Sequence, residues 1–576
     1  MINPFATPSP SASGQRAALA VLYTADAYAN GGRKMGRQQA GLGLLPALID
    51  ATTTNRFPVV ALRQEDLGPL RQQVQQRRPD LRLHLWPLDK LDRLSGVDGL
   101  FVADPSLVRW AELRQWHPRG SGAWSLIGLT HTLSSLGALE ALRRIPAAPL
   151  QPWDALICTS RCARAAVQAV LQQEAETLAR RFGGQAQAWA APQLPVIPLG
   201  CDVARLSGLA KGRDPARAAL RIPEEQVVLL FVGRLELHAK AHPGVLLQAL
   251  ARVAERLAQA RPACPRPCLL VLGTARSQVT AQAWQQAVSH FSRWFELRLL
   301  DGHDPLLSDQ AWAAGDVFVS LADSLQETFG LTPVEAMARG LPVIASDWNG
   351  YRDTVVHGVT GLLIPSSQPD PAAPHRLAEL SLGRLRYDTF MADLMQQVVI
   401  AEEPLVEALE RLLTDPELRV RMGEAGRQRA SQHYDWSQVV AQIHALTLEL
   451  AERRQAASAA VDSPPLSPWR QFASWPSRHH ASHGLLRIDP QRLRQRRVAM
   501  EQLQIYANLS TAAEPALQLL ALQPLLSHLE ALAVDQHQPF QLPLEALVNA
   551  LPGQSPSDLQ QALAWLAKIG ALELPS

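Results

Sequence analysis

Cysteine is scarce in this chain, which has five among 576 residues. Cys158 and Cys162 are separated by three residues, as are Cys264 and Cys268, but no partner pair follows at the spacing of a zinc site. A disulfide-stapled protein would need a denser set of cysteines. We therefore predict that the cysteines are reduced thiols.

Long hydrophobic runs are also missing. No stretch of about 18 apolar residues occurs, as a membrane-spanning helix would require. Residues 1–15 are rich in Ser and Pro and lack the apolar core of a signal peptide. We expect a disordered N-terminal tail and a cytoplasmic protein.

An excess of either charge is absent, since 55 Lys and Arg face 53 Asp and Glu. A net charge of +2 favours no polyanionic partner, so binding to nucleic acid is not expected. The sequence has no Walker-type lysine loop, no G-x-S-x-G elbow and no Asp-x-Asp between apolar residues. His479, His480 and His483 have no Cys or Asp at ligand spacing, so we predict neither a metal ion nor a cofactor.

Short apolar runs alternate with helical patterns in two successive blocks. Near-continuous apolar runs of this length are typical of strands buried on both faces of a parallel sheet. The fold class predicted is therefore α/β, with two facing Rossmann-like, doubly wound domains. The predicted strands are Ala18–Tyr23, Pro58–Leu62, Leu83–Trp86, Gly99–Val102, Ser125–Leu129, Ala155–Thr159, Pro195–Pro198, Val227–Val232, Cys268–Leu272, Leu297–Leu300, Val317–Ser320, Pro342–Ala345 and Gly361–Ile364.

The two blocks divide the chain into residues 16–210 and 211–453, with a connector near 207–225. A Ser/Pro-rich linker is predicted at 454–468, followed by a mainly helical extension at 469–576. The extension has a basic run, Arg492–Arg497, and a well-capped helix start at Ser555. Helix, turn, helix and a short strand at Ala571–Leu574 fit a winged-helix-like module, and equally a helical packing or self-association unit.

The segment Asp316–Gly361 has the richest set of functional side chains. It predicts a strand, a loop with Glu327 at its tip, a helix that includes Glu335, and a second strand. The start of such a helix has unpaired backbone N–H groups, which favour an anionic group such as a diphosphate. Glu335 lies further along the helix and can accept hydrogen bonds from a ribose diol. Two carboxylates beyond the strand ends of such a sheet indicate a ligand site.

This segment closely resembles the donor-binding motif of the retaining family-four glycosyltransferases of GT-B architecture, the glycosyl transferases group 1. There, two glutamates with seven residues between them bracket a Phe-Gly dipeptide, and the likeness extends over about residues 18–450. The resemblance implies that Glu327 contacts hydroxyls of the donor sugar and that Glu335 binds the ribose. It also implies that the amides of Phe329, Gly330 and Leu331 hold the sugar and diphosphate.

Phe231-Val232-Gly233-Arg234 and Lys240 form a second element, directly after the first strand of the second block. An Arg and a Lys there suit the two phosphates of a leaving nucleoside diphosphate. The pattern resembles the family's G-R-x…K-G signature with two departures. The Arg–Lys gap is one residue longer, and Ala241-His242-Pro243 replaces the glycine after the lysine.

Three residues of the first block complete the expected site. Gly31 and Gly32 follow the first strand, where glycines allow a backbone to approach a ligand closely. They resemble the family's glycine loop near the diphosphate and the acceptor. His131 follows the strand Ser125–Leu129 and matches the family's histidine beside the reacting sugar.

The implied reaction is metal-independent transfer of a hexosyl unit from a nucleoside-diphosphate sugar to an acceptor hydroxyl, with retention of configuration. The catalytic residues would be Glu327, His131, Arg234 and Lys240, and the acceptor is unknown. Two other functions remain open: a GT-B sugar-nucleotide epimerase, and a non-catalytic binding or scaffold protein that uses the C-terminal module. Peripheral membrane contact and self-association through the extension also remain open.

Overall fold

The computed structural model describes residues 18–28, 36–61, 67–88, 91, 94–185, 189–209, 212–237, 240–262, 265–458, 460, 467–481, 483–503, 519 and 521–575. The chain divides into two compact units, 1–465 and 466–576. No helix in the described part of the chain combines the length and the apolar character needed to cross a bilayer.

The first sheet of unit 1 has six parallel strands in the order β3-β2-β1-β4-β5-β6. They are β1 (Leu19–Tyr23), β2 (Arg56–Ala61), β3 (Arg82–Pro87), β4 (Gly99–Val102), β5 (Ser125–Leu129) and β6 (Ala155–Ile157). The helices of this half are α1 (Ala25–Tyr28), α2 (Gly36–Ala51), α3 (Gly68–Arg77), α4 (Leu107–Arg114), α5 (Leu136–Arg144) and α6 (Arg161–Phe182). This strand order is that of a Rossmann domain.

The second sheet repeats the arrangement in the order β12-β11-β10-β7-β8-β9. Its strands are β7 (Val228–Val232), β8 (Cys268–Gly273), β9 (Glu296–Asp301), β10 (Val317–Ser320), β11 (Val343–Ser346) and β12 (Gly361–Ile364), all parallel. The helices up to β12 are α7 (Val203–Leu209), α8 (Arg213–Leu220), α9 (Gly244–Ala260), α10 (Gln278–Phe291), α11 (Pro305–Ala314), α12 (Leu331–Ala338) and α13 (Tyr351–Thr354). The predicted fold of two Rossmann-like α/β domains, the GT-B architecture, is confirmed.

One strand prediction in the first half of unit 1 was wrong. Residues 195–198 form no strand, because only the isolated bridges Ala155–Gln193 and Cys158–Val196 join this segment to β6. The connector near 207–225 is largely helical, since α7 and α8 occupy most of it. The thiols of Cys158, Cys162, Cys201 and Cys268 are free as predicted, while Cys264 lies outside the described residues.

Unit 1 ends with a small insertion and three longer helices. The insertion consists of β13 (Ser366–Ser367), α14 (Leu377–Ser381), α15 (Tyr387–Met395) and β14 (Val399–Ile400), and it precedes α16 (Glu402–Thr414), α17 (Pro416–His433) and α18 (Trp436–Ala456). Helix α18 returns to the first sheet, where Arg454 donates to the Asp98 carbonyl at 2.8 Å and to Ser125 Oγ at 2.6 Å. The last helix of the second block therefore belongs structurally to the first domain as well.

Unit 2 has its own core around Leu486, Leu525 and Leu563. It contains α19 (Pro468–Gln471), β15 (Leu485–Ile488), α20 (Pro490–Gln502), α21 (Leu522–Ala533), β16 (Phe540–Pro543), α22 (Leu544–Ala550) and α23 (Pro556–Lys568). Ser555 Oγ caps α23 by accepting from the Asp558 amide at 3.1 Å. The predicted strand at 571–574 is reduced to one antiparallel bridge between Glu573 and Arg487.

Candidate functional site

The loop between β10 and α12 is shaped by a glycine that no other residue can replace without strain. Gly330 caps α12 with φ of 95°, a left-handed conformation that favours glycine. A Cβ at this position would lie 2.2 Å from the Tyr351 ring, so the ring fills the space that a side chain would need. Phe329 is buried beside it and packs edge-on against Tyr434, with ring centroids 5.9 Å apart. The loop therefore has a fixed course into the helix.

Lys240 and Glu327 form an ion pair at the tip of this loop. Lys240 Nζ lies 2.5 Å from Glu327 Oε2, and each side chain is 16% exposed. Burial lowers the pKa of Lys240, but the charge of Glu327, the Tyr351 hydroxyl and the hydrogen bond to Glu327 together outweigh it, so the pKa is raised and the ammonium stays protonated. Arg234 is next to this pair and donates to Gln326 Oε1 at 3.5 Å. Two cations from the loop after β7 thus meet the loop after β10.

Glu335 stands on α12, one turn beyond its start, and is half-buried. Burial raises the pKa of its carboxyl, while Arg339 and Arg205 partly offset this effect. The described residues donate no hydrogen bond to its side chain. A half-buried carboxylate without a donor is costly for the fold, which is a common property of residues retained for a ligand.

The first domain reaches the same loop through its strand ends. Thr328 Oγ1 donates to the His131 carbonyl at 2.8 Å, and Ser160 Oγ donates to the Thr328 carbonyl at 2.7 Å. Arg161, the first residue of α6, forms an ion pair with Asp353 at 2.5 Å. His131 lies two residues beyond β5, so both sheets direct their carboxyl ends to this place.

Most of the predicted site residues are thus brought together by the loop 323–330. Glu327 and Lys240 touch, and the neighbours of Glu327 connect it to Arg234 and His131. Phe329, Gly330, Leu331 and Glu335 belong to the same loop and helix. Gly31 and Gly32 lie outside the described residues.

Sequence reasoning missed three residues that support this arrangement, namely Tyr351, Ser320 and Asp323. Tyr351 is fully buried, and its hydroxyl is 2.8 Å from Ser320 Oγ. Burial raises the pKa of Tyr351, and nearby Lys240 partly offsets it. Asp323 accepts from the His242 amide at 3.1 Å, and burial raises the pKa of its carboxyl. The residue types gave no signal, because each acts through a hydrogen bond to a residue distant in sequence.

The arrangement can hold an anion beside a polar, hydroxyl-rich group. The amides of Phe329, Gly330 and Leu331 donate to no acceptor within the described ranges, and the dipole of α12 adds positive potential at its start. Arg234 and Lys240 provide full charges. In the described ranges, no three His, Cys, Asp or Glu side chains come together in a group that could hold a metal ion.

A comparison with protein-family models identifies a family that this chain resembles. Residues 212–382 match the family model described as glycosyl transferases group 1. This range begins just before α8 and includes Arg234, Lys240, Glu327 and Glu335. The resemblance inferred from the sequence motifs is confirmed.

Several curated relatives have the name D-inositol 3-phosphate glycosyltransferase. The protein from Xylanimonas cellulosilytica is 26% identical over 340 residues, which cover 57% of this chain and 68% of the relative. The protein from Rhodococcus erythropolis is 32% identical over 208 residues, covering 34% of this chain and 44% of the relative. Among solved structures, Anabaena HepE in complex with UDP and glucose covers 77% of this chain and 100% of that chain, with 17% identity and a TM-score of 0.45.

Proposed function

We propose that this chain, a member of the group 1 glycosyltransferases, transfers a hexosyl unit from a nucleoside-diphosphate sugar to an acceptor hydroxyl. The transfer proceeds with retention of configuration and needs no metal ion. The Lys240–Glu327 pair supports this proposal most directly, because an ammonium and a carboxylate lie side by side at the loop just before α12, where a diphosphate and a sugar hydroxyl would need them.

The cationic groups hold the diphosphate. Arg234 and Lys240 bind its oxygens together with the amides at the start of α12, and they stabilise the charge that grows as the nucleotide leaves. These groups also replace the divalent cation that other sugar transferases use for the same charge. Hydrogen-bond donors and cations that are already in position in a partly buried site lower the activation barrier most when they lie where the negative charge develops.

The two glutamates bind different parts of the sugar-nucleotide donor. Glu327 accepts hydrogen bonds from hydroxyls of the sugar, close to the reacting carbon. Glu335 accepts from the ribose diol and so supplies binding energy away from the reaction. His131 borders the sugar from the first domain, and Gly31 and Gly32 lie near the diphosphate and the acceptor.

In the reaction, the bond between the sugar C1 and the β-phosphate oxygen breaks, and the acceptor oxygen forms a new bond to C1 on the same face. The acceptor proton passes to the departing phosphate oxygen. The products are the glycosylated acceptor and a nucleoside diphosphate, so atoms and charge balance. The protein contributes orientation and charge stabilisation.

A thermal-shift screen of the UDP, GDP, ADP and dTDP forms of common sugars identifies the donor. An acceptor panel, beginning with inositol 3-phosphate from the relatives' names, is then scored by release of nucleoside diphosphate. NMR of the product should show the anomeric configuration of the donor. Epimerised donor without any need for an acceptor, or an inverted product, would contradict the proposal.

A further inference from the structure

Unit 2 begins with a cluster of aromatic side chains that its own core does not include. Within residues 467–481, hereafter the aromatic segment, Trp469 is 86% exposed, Trp475 77% and Phe472 44%. Phe472 and Trp475 contact each other, with ring centroids 4.4 Å apart. None of the three belongs to the core around Leu486 and Leu525. Such a patch costs free energy in water and indicates a surface that binds something.

The charges around this cluster have one sign. Residues 463–488 contain three arginines and three histidines but no Asp or Glu. In the sequence, Arg470 and Arg478 flank Phe472 and Trp475, and Trp469 is next to Arg470; both arginines are exposed. No carboxylate pairs with either of them within the described ranges. Their charge is therefore available to an anionic partner.

The basic run Arg492–Arg497 differs from this segment, although the sequence made it the more obvious cationic surface. Arg492 lies 3.2 Å from Glu573, and Arg497 lies 3.2 Å from Glu501 and 3.5 Å from Glu530. Carboxylates of the same unit therefore pair with two of the four arginines in that run. Arg470 and Arg478, in contrast, have no carboxylate partner among the described residues.

We infer that the aromatic segment binds the surface of an anionic membrane, independently of the transferase reaction. Tryptophan favours the boundary between headgroups and acyl chains, because its ring is apolar and its indole N–H is polar. Arginines beside it attract anionic headgroups and extend their apolar stems along the same boundary. Exposed aromatic rings and two arginines, in a stretch of sequence without an acidic residue, provide both interactions on one short segment.

The test uses the full chain and sucrose-loaded vesicles of phosphatidylcholine, with or without phosphatidylglycerol. The parent chain should sediment with the anionic vesicles and lose that binding as salt rises. Trp469→Ser with Trp475→Ser should weaken binding about tenfold or more, because both rings lose their contact with the acyl boundary. Arg470→Gln with Arg478→Gln should weaken it about fivefold per arginine.

Trp116→Ser is the matched control, since Trp116 is 62% exposed but lies in unit 1. It should bind vesicles as the parent chain does. Equal sedimentation of the parent with neutral and anionic vesicles would overturn the inference, as would unchanged binding of the arginine variant. A tryptophan variant that binds vesicles normally but changes oligomeric mass would assign the segment to self-association instead. Nucleotide is absent from the assay, so none of these results bears on the transfer proposal.

Discussion

Lys240 and Glu327 satisfy each other before any substrate is present, at a separation of 2.5 Å. Removing one partner of a buried pair leaves an uncompensated charge, at a cost of about 3–5 kcal/mol. A sugar nucleotide that binds must therefore interact with two side chains that are already paired, rather than with two unpaired charges. Glu335 is in the opposite situation, because no hydrogen-bond donor within the described ranges contacts its carboxylate. This contrast predicts different consequences when each glutamate is changed.

Glu335→Ala should raise the KM for the donor about 10- to 100-fold with little change in kcat, because the proposed ribose contact would be equal before and during reaction. Glu327→Gln should mainly lower kcat, because the sugar contact orients the reacting carbon. Steady-state kinetics with the identified donor separates the two. Glu417→Ala, a change at an 88% exposed carboxylate, should leave both constants unchanged. Equal effects of both glutamates on KM alone would contradict this division of roles.

Because the pKa of Glu335 is raised in the folded state, ionisation of its carboxyl destabilises the unliganded folded protein. Below the ordinary value of 4.5 the carboxyl is neutral in both states and the cost is absent. The cost grows as pH rises through the raised pKa of the folded state, and it is complete above that value. Glu335→Gln should therefore raise the Tm at about pH 8, and the gain should shrink toward about pH 4. Thermal melts across this range check the sign, and a gain that grows on acidification would contradict it.

The motif selected residues that the structure brings together, but it did not indicate their partners. The spacing of Glu327, Phe329, Gly330 and Glu335 is enough by itself to indicate the donor loop. Tyr351 gave no such signal, because its role depends on filling the space above Gly330. Contacts of this kind depend on how two loops pack, which a pattern along one chain does not encode.

At the scale of elements, the approach from β10 into α12 depends on Gly330. Gly358 provides a matched comparison, since its φ is 76° but a Cβ at that position would have no atom within 4 Å. Both positions disfavour L-residues, at about 1–2 kcal/mol each. Only Gly330 adds a clash, because a Cβ would meet the ring of Tyr351.

Gly330→Ala should therefore destabilise the fold by about 2–5 kcal/mol, which adds an overpacking cost to the backbone cost. Gly358→Ala should cost about 1–2 kcal/mol. Urea unfolding followed by circular dichroism gives both values. Nucleotide affinity should fall for Gly330→Ala alone, because only this glycine precedes the helix that we propose to bind the diphosphate. Equal costs and equal affinities for the two variants would remove the special role of Gly330.

Most elements were predictable because both sheets are buried on both faces. Continuous apolar runs such as Val317–Ser320 and Gly361–Ile364 therefore became strands within a residue of their predicted limits. Residues 195–198 are also apolar, yet they only bridge to β6 at isolated points. An apolar run shows that a segment is buried but not that its backbone has a full set of ladder bonds.

At the scale of the whole molecule, the two domains of unit 1 are joined by contacts and also by α18, which follows the second sheet in sequence but packs on the first. The domain division at 16–210 and 211–453 remains a proposal, because α18 packs on the first sheet through Arg454. The proposed donor site lies wholly upstream of α18. We therefore expect that binding of the donor sugar nucleotide does not require unit 2. Helix α18 should be required, because it packs on the first sheet.

A chain that ends at residue 465 should bind the nucleoside diphosphate with the affinity of the full chain and hydrolyse the donor slowly. A chain that ends at residue 435, before α18, should fail to fold, because it loses the contacts of Arg454 with the first sheet. Calorimetric titration of both truncations tests this. A well-folded chain ending at 465 that no longer binds nucleotide would place part of the donor site in unit 2.

The central claim is that protein cations, not a metal ion, hold the diphosphate. Calorimetric titration of UDP, GDP, ADP and dTDP into the full chain, in excess EDTA and then in manganese, tests it most directly. We predict that one nucleotide binds with the same Kd in both conditions, and that Arg234→Gln weakens this binding about 10- to 100-fold. Binding that EDTA abolishes and manganese restores would contradict the claim.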